Sequence, residues 1–318
     1  MTIALTRSFA LTVEDGTTLR YQTIGSGEGL ILVGDAALTA RDYLPLARIL
    51  ALSHTVHVLE RRGHGASSPQ GPGYSMETEC RDLLAFQRHT RASLVFGHGY
   101  GGLIALETAR RQNVFRKITV YDPGLSIGGS VPLGWLPEYR QRLGAGDPRG
   151  AFACLVSQGG YAPGPLTAMP SWCLRAFPRL FLSGRRWPEM EPLLPAILAE
   201  HEQIARLDDG TADRYAAIAV PVMLLGGRTS PAFSAAGIDI LHRVIPGSVL
   251  EIVDGLGHDA PVRKPPLTVA QCLLRFLRRP SAVTATARAP RDSGLPVDQA
   301  QFPPPGDRLG AVAGAQLA

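Results

Sequence analysis

Residues 94–102 read Leu94-Val95-Phe96-Gly97-His98-Gly99-Tyr100-Gly101-Gly102. A short apolar run ends in a glycine-rich turn, and a helix-forming stretch follows at once. This order predicts a strand over 93–96, a tight turn and a helix, with small residues where strand and helix approach closely.

The same alternation extends outward in both directions. Residues 8–13 and 18–23 read as two short strands around the turn Asp15-Gly16. Leu30-Ile31-Leu32-Val33 has the look of a buried strand. Helical spacing follows over Tyr43–Leu52, then a strand over 55–59. Ser75 with Thr78-Glu79 marks a helix start, and Leu83, Leu84 and Phe86 continue its apolar face. Ile118–Tyr121 is the next strand. Strands alternating with helices argue for a parallel sheet covered on both faces.

Residues 126–204 break this rhythm with Trp135, Trp172, Trp187, many prolines and helical stretches without strands. They predict a helical cap. Strand signals return at 220–225 and 249–253, and a helix is expected over 267–277. From 280 onward Pro, Ala, Gly and Arg dominate, a composition that buries too little apolar surface to offset ordering entropy. The expected organisation is a core over 1–125, a cap over 126–204, a second core segment over 205–279 and a flexible tail over 280–318.

Composition excludes several function classes. The formal charge is +5 over 318 residues, but lysine stands only at Lys117 and Lys264 and the arginines are scattered. No basic stripe or nucleic-acid-binding motif is present, so no nucleic-acid partner is expected. Cys80, Cys154, Cys173 and Cys272 share no CxxC spacing, which speaks against a zinc site or a disulfide framework. No metal and no cofactor are expected. The first residues lack a charged segment followed by an apolar run, and no apolar stretch approaches the ~20 residues of a membrane span. A cytoplasmic protein without a membrane partner, monomeric or homodimeric, is the expectation.

The turn at Gly97–Gly101 resembles the nucleophile elbow of the α/β-hydrolases, G-x-S-x-G, with Gly99 where that family carries serine. Further segments resemble the family in the same order. Glu60-Arg61-Arg62-Gly63-His64-Gly65-Ala66-Ser67 is similar to its D-x-R-G-x-G-x-S turn, and Gly34-Asp35-Ala36 lies where an oxyanion-hole amide is normally introduced. Tyr121-Asp122-Pro123 matches a strand end where some members carry their acid, and Leu256-Gly257-His258-Asp259-Ala260-Pro261 matches the histidine loop. The resemblance covers roughly 7–279. It implies an α/β-hydrolase fold, a mostly parallel sheet with helices on both faces and a helical cap.

It also implies a division of roles. His258 would be the proton-transfer residue, and the amides of Tyr100 and of Asp35 or Ala36 would form the oxyanion hole. The usual acid position reads Gly226-Gly227-Arg228-Thr229-Ser230-Pro231 without a carboxylate, which leaves Asp122 as the orienting acid and Asp35 as the second candidate. The nucleophile position, Gly99, is vacant. His98, Trp135 and Trp172 are possible pocket residues, although a packing role suits His98 and a structural one suits His64.

The expected function is a cofactor-independent enzyme that uses His258 acid–base chemistry on a hydrophobic small molecule. Its type would be lyase, cyclase or isomerase, in specialised-metabolite tailoring. Alternatives are a hydrolase acting through water activated by His258, an ordinary esterase inactivated at Gly99, and a non-catalytic small-molecule binder.

Overall fold

A computed structural model describes residues 6–162, 164–180, 186–263 and 266–280. The tail expected from 280 on lies, Pro280 apart, outside them. The chain begins with β1 (Arg7–Thr12), β2 (Thr18–Gly25) and β3 (Glu28–Val33), then α1 (Leu44–Leu50) and β4 (His54–Glu60). Next come α2 (Met76–Thr90), β5 (Leu94–His98), α3 (Tyr100–Arg111) and β6 (Lys117–Tyr121). Six helices follow without a strand among the described residues: α4 (Leu136–Gly144), α5 (Pro148–Gln158), α6 (Gly164–Thr167), α7 (Ser171–Leu180), α8 (Arg186–Met190) and α9 (Leu194–Leu207). The chain returns through β7 (Val222–Gly227), α10 (Ala232–Val244), β8 (Val249–Val253) and α11 (Leu267–Arg278).

The strands form one eight-stranded sheet in the order β1-β2-β4-β3-β5-β6-β7-β8. The β1–β2 and β2–β4 pairings are antiparallel, and the pairings from β4 to β8 are parallel. β5 and β6 are buried at every position, as expected of central strands covered on both faces. The two core clusters lie on opposite sides: Ile31, Val33 and Val95 belong to one, Leu30, Leu32, Leu94 and Phe96 to the other. Alternate residues of one strand feeding different cores is the period-two geometry of a strand.

Local signals set the element ends. The Ser75 side chain accepts a hydrogen bond from the Thr78 N–H at 3.3 Å and caps α2, a contact worth about 1 kcal/mol. Buried Lys117 donates through Nζ to the carbonyls of Phe276 and Leu277 and so closes the C-terminus of α11.

The site follows from strand order. The chain leaves β3 toward β4 on one side, then crosses back to form β5 on the other. The gap between the C-terminal ends of β3 and β5 is therefore the switch point of the sheet, where open α/β sheets form their crevice. Asp35 and Gly99 flank it.

Candidate active site

β5 ends at His98, and Gly99 turns the chain directly into α3. The turn is tight enough to require glycine. A Cβ on Gly101 would lie 2.3 Å from the Val33 carbonyl oxygen. Gly99 itself has φ 53 and ψ −121, in the left-handed half of backbone space, which strains other residues by about 1–3 kcal/mol.

The space beside Gly99 is filled by a side chain from another loop. A Cβ built on Gly99 would lie 2.0 Å from Asp35 Oδ1 and 2.2 Å from its Cγ. The Asp35 carboxylate thus sits where a side chain at position 99 would begin. Its Oδ1 accepts a hydrogen bond from the Tyr100 N–H at 2.8 Å, and its Oδ2 lies 3.1 Å from His258 Nε2. The opposite ring nitrogen, His258 Nδ1, lies 3.2 Å from Asp122 Oδ2. The Ser230 hydroxyl donates to the same Asp122 oxygen. An imidazole is held between two carboxylates.

Charge follows from this geometry. Burial alone would push the His258 pKa down, but hydrogen bonds to Asp122 and Asp35 and their negative charge raise it to about 10. Burial opposes ionisation of Asp35; the hydrogen bond and charge of His258, with the Tyr100 N–H, outweigh it and hold the carboxyl well below its ordinary range. At neutral pH the Asp35–His258 pair is therefore carboxylate and imidazolium. Asp122 is one of two non-glycine residues with positive φ among those described, at 43. A strained backbone that places a buried carboxylate against a histidine is the arrangement functional sites retain.

Neighbouring groups fix these positions. The Tyr43 hydroxyl accepts from the Asp35 N–H at 2.8 Å and lies 2.8 Å from His98 Nδ1. His98 Nε2 lies 2.8 Å from the His258 carbonyl oxygen. His98 is fully buried, and burial with the charge of His258 lowers its pKa to about 4, so it acts as a neutral strut. Arg61 donates to the carbonyls of Gly34 and Asp35, at 3.1 and 3.3 Å, and so ties down the β3 loop.

A cavity of about 340 Å³ opens over the centre. Asp35, Tyr100 and His258 line it from the sheet side; Phe152, Leu155, Tyr161 and His201 line it from the helical side. The Asp35 and His258 side chains are 18% and 16% exposed, which leaves each one accessible face in a mostly apolar chamber.

Several expectations need correction. The Asp35 N–H is committed to Tyr43 and the Tyr100 N–H to Asp35 Oδ1, so these two amides do not face an open oxyanion hole. The cause is the side chain of Asp35, which turns into the glycine's space instead of into solvent. Trp172 is 71% exposed and does not line the cavity. Trp135 is buried behind the wall, its Nε1–H donating to the Pro132 carbonyl and its ring edge-on to His201 at 5.0 Å. His98 lies beneath His258, ring centroids 4.8 Å apart, and not on the cavity surface. Ala36 does line the cavity, as does Tyr100, whose hydroxyl turns away to the Tyr74 hydroxyl at 3.2 Å.

Tyr43, Tyr161 and His201 join the site without having been singled out in the sequence, and Ser230, set aside in favour of Asp122 as the contact of His258, joins it through Asp122. Only His201 leaves a signal. With Leu194, Ile197 and Ile204 it falls on one helical stripe, so a histidine appears where an apolar residue is expected.

Asp35, His98 and His258 place one potential metal-ligand atom each within 4.8 Å of one another. Both nitrogens of His98 are already hydrogen-bonded and His258 carries its proton between two carboxylates. A cation would have to displace these bonds, so the donor set fits an ion pair better than a metal. No described helix is long and apolar enough to cross a membrane.

Comparison with known proteins agrees with this architecture. The chain is 25% identical to an alpha/beta hydrolase from Sphaerobacter thermophilus DSM 20745, with a TM-score of 0.70 over 85% of this chain and 100% of that one. The enol-lactonase from Burkholderia xenovorans LB400 superimposes with a TM-score of 0.65 at 20% identity, over 85% and 100% of the two chains. Bromoperoxidase from Bacillus anthracis does so with 0.66 at 17% identity, over 86% and 100%. The uncharacterized hydrolase YraK of Bacillus subtilis (strain 168) is 33% identical over 100 residues, 30% of this chain. That match spans 37% of the length of YraK. Residues 30–271, most of the chain, match the model of the alpha/beta hydrolase family, and the chain belongs to that family.

Proposed function

We propose that this chain is a cofactor-independent enzyme of the α/β-hydrolase fold that moves protons on a hydrophobic small molecule. Asp35 and His258 are the reacting pair and Asp122 is the positioning residue. The reaction is of lyase, cyclase or isomerase type. One observation carries the reading: the Asp35 carboxylate fills the space a side chain at Gly99 would take, hydrogen-bonded to the Tyr100 N–H and to His258.

The pair rests in the form such chemistry needs. His258 holds a proton to give, and Asp35 is an ionised acceptor beside it. A carboxylate so strongly stabilised is a weak base while the imidazolium stays charged. Donation of the His258 proton to a substrate oxygen removes that charge, and the basicity of Asp35 rises as a neighbouring C–H proton is withdrawn. Asp122 and Ser230 hold the imidazole and its tautomer through the cycle. The helices between β6 and β7, read as a cap, supply apolar walls that limit competition from water.

A serine at 99 would require the Asp35 carboxylate to turn out of the space it fills. Retention of a charged proton-transfer pair favours an enzyme over a receptor.

The test uses carbonyl compounds with exchangeable α-protons, β-diketones and enol-lactones, followed by proton NMR in D2O. The wild-type protein is expected to accelerate deuterium wash-in. Asp35→Asn and His258→Gln should each lose it by about 100-fold or more, the usual weight of a positioned acid or base. No serine-directed phosphonate should label the protein. Exchange surviving in both variants, or rapid aryl-ester hydrolysis by the wild type, would overturn the reading.

A further inference from the structure

Most polar side chains that line the cavity are already engaged. The Tyr100 hydroxyl lies 3.2 Å from that of Tyr74, and Asp35 and His258 are bonded to each other. His201 Nδ1 donates to the Ile197 carbonyl at 2.7 Å, and its Nε2 is sealed inside the protein. Tyr161 is the exception. It lines the cavity and is half-buried, and its hydroxyl has no partner among the described residues. Unlike His201 Nε2, this hydroxyl is not among the described polar atoms that are both sealed and unpaired, so it keeps accessible surface.

Local geometry sets that surface over the reacting pair. The helix α5 ends at Gly159, and Gly160 follows with φ 77, in a turn where a Cβ would lie 3.0 Å from Phe233 and Pro132. The turn delivers Tyr161 between the Phe233 ring, edge-on at 5.3 Å, and the His258 ring at 5.2 Å. Asp35 and Asp122, the carboxylates on either side of His258, both act on the hydroxyl. Burial is the larger cause, and their charges add to it, in pushing its pKa well above the ordinary range. Tyr161 therefore keeps its proton at neutral pH and can serve as a donor.

The proposed chemistry needs such a donor. Withdrawing a C–H proton beside a carbonyl puts negative charge on the carbonyl oxygen, which preorganised donors stabilise. The Asp35 and Tyr100 amides are committed elsewhere. We propose that the Tyr161 hydroxyl donates a hydrogen bond to the carbonyl oxygen of the substrate, the same oxygen that receives the His258 proton. The substrate class that follows is an enolisable ketone carried on an apolar body. This rests on the cavity being the substrate site, as the proposed function has it.

The probes are 2-tetralone and tetralin, which differ in the carbonyl group. Tyr161→Phe should weaken 2-tetralone binding by about tenfold, the weight of one net hydrogen bond, and leave tetralin binding unchanged. It should also slow deuterium wash-in into 2-tetralone by about 100-fold, the usual effect of removing one oxyanion donor. In isotope-edited infrared difference spectra, the C=O stretch of bound 2-tetralone should lie lower in the wild type than in Tyr161→Phe. Placing 3-fluorotyrosine at position 161, which keeps the hydroxyl and makes it more acidic, should lower the stretch further. That readout stands even where Tyr161→Phe folds poorly. Equal 2-tetralone affinity in wild type and Tyr161→Phe, a stretch that ignores both changes at 161, or failure of 2-tetralone to bind would each overturn the proposal. Wash-in that depends on Asp35 and His258 but not on Tyr161 would overturn it and leave the proposed function standing. A stretch that responds at 161 in a protein without wash-in would do the reverse, supporting the hydrogen bond while removing the proposed reaction.

Discussion

Two buried ionic clusters lie side by side in this protein and differ in one respect. In the first, Arg61 donates to Glu79 at 2.8 Å and to Glu200 at 2.7 Å, and its remaining N–H groups hold the carbonyls of Gly34 and Asp35. Arg62 binds Asp82 with two hydrogen bonds of 2.6 Å. These side chains are at most 5% exposed. In the second, His258 stands between Asp35 and Asp122, and the Asp35 and His258 side chains keep a face on the cavity. In the first, the Arg61 group is sealed and holds a loop in place, while Arg62 also reaches half-exposed Asp15. The second is held by the first and left open on one side. Burial and ion pairing are common to both clusters; what separates them is that the second keeps an accessible face on an apolar cavity.

The largest expected effect falls on the sealed cluster. Arg61→Met leaves the buried Glu79 and Glu200 side chains without their shared donor, and should destabilise the protein by about 3–5 kcal/mol in urea unfolding. Burial pushes the Glu200 carboxyl up to about 8 against the pull of Arg61, and loss of that pull raises it further, so Glu200 is already protonated at neutral pH and adds a charge cost only above about pH 8. A loss under about 1 kcal/mol would mean that the cluster behaves as a surface pair, and the contrast would fail.

A smaller effect is expected at the open centre, where the interest lies in coupling. Gly99→Ser should cost about 1–3 kcal/mol through its positive φ, with a further cost because its Cβ meets Asp35. In an Asp35→Ala background that second cost disappears. A double-mutant cycle by urea unfolding should therefore give a favourable coupling of about 0.5–3 kcal/mol. Strict additivity would show that the two positions do not share the space.

Much of this was legible in the sequence, for local reasons. The turn at Gly97–Gly102 announces itself because only glycine allows its close approaches, and strand–helix alternation implies the parallel sheet. Asp122 and His258, 136 positions apart, were paired through the family's order of motifs, and they lie 3.2 Å apart. The orientation of Asp35 was not legible. Its rotamer depends on empty space at Gly99 and on Tyr43 taking its backbone N–H, and neither is a local feature. The tryptophans misled for a similar reason: size and rarity suggest a pocket, yet Trp135 packs behind the wall and Trp172 faces solvent.

The central claim is that Asp35 and His258 form an ion pair in the space beside Gly99, and titration of His258 by 15N NMR tests it most directly. The wild-type imidazole should stay doubly protonated through neutral pH, with a midpoint near 10. Asp35→Asn should lower that midpoint by more than a pH unit, having removed one of the two carboxylates. Stability should follow the same sign. The folded pKa of His258 lies above its unfolded value of 6.5, so its contribution is complete below pH 6.5 and is lost as pH rises toward 10. A His258 midpoint at or below 6.5 in the wild type, unchanged in Asp35→Asn, would contradict the ion pair and the proposed proton-transfer chemistry with it.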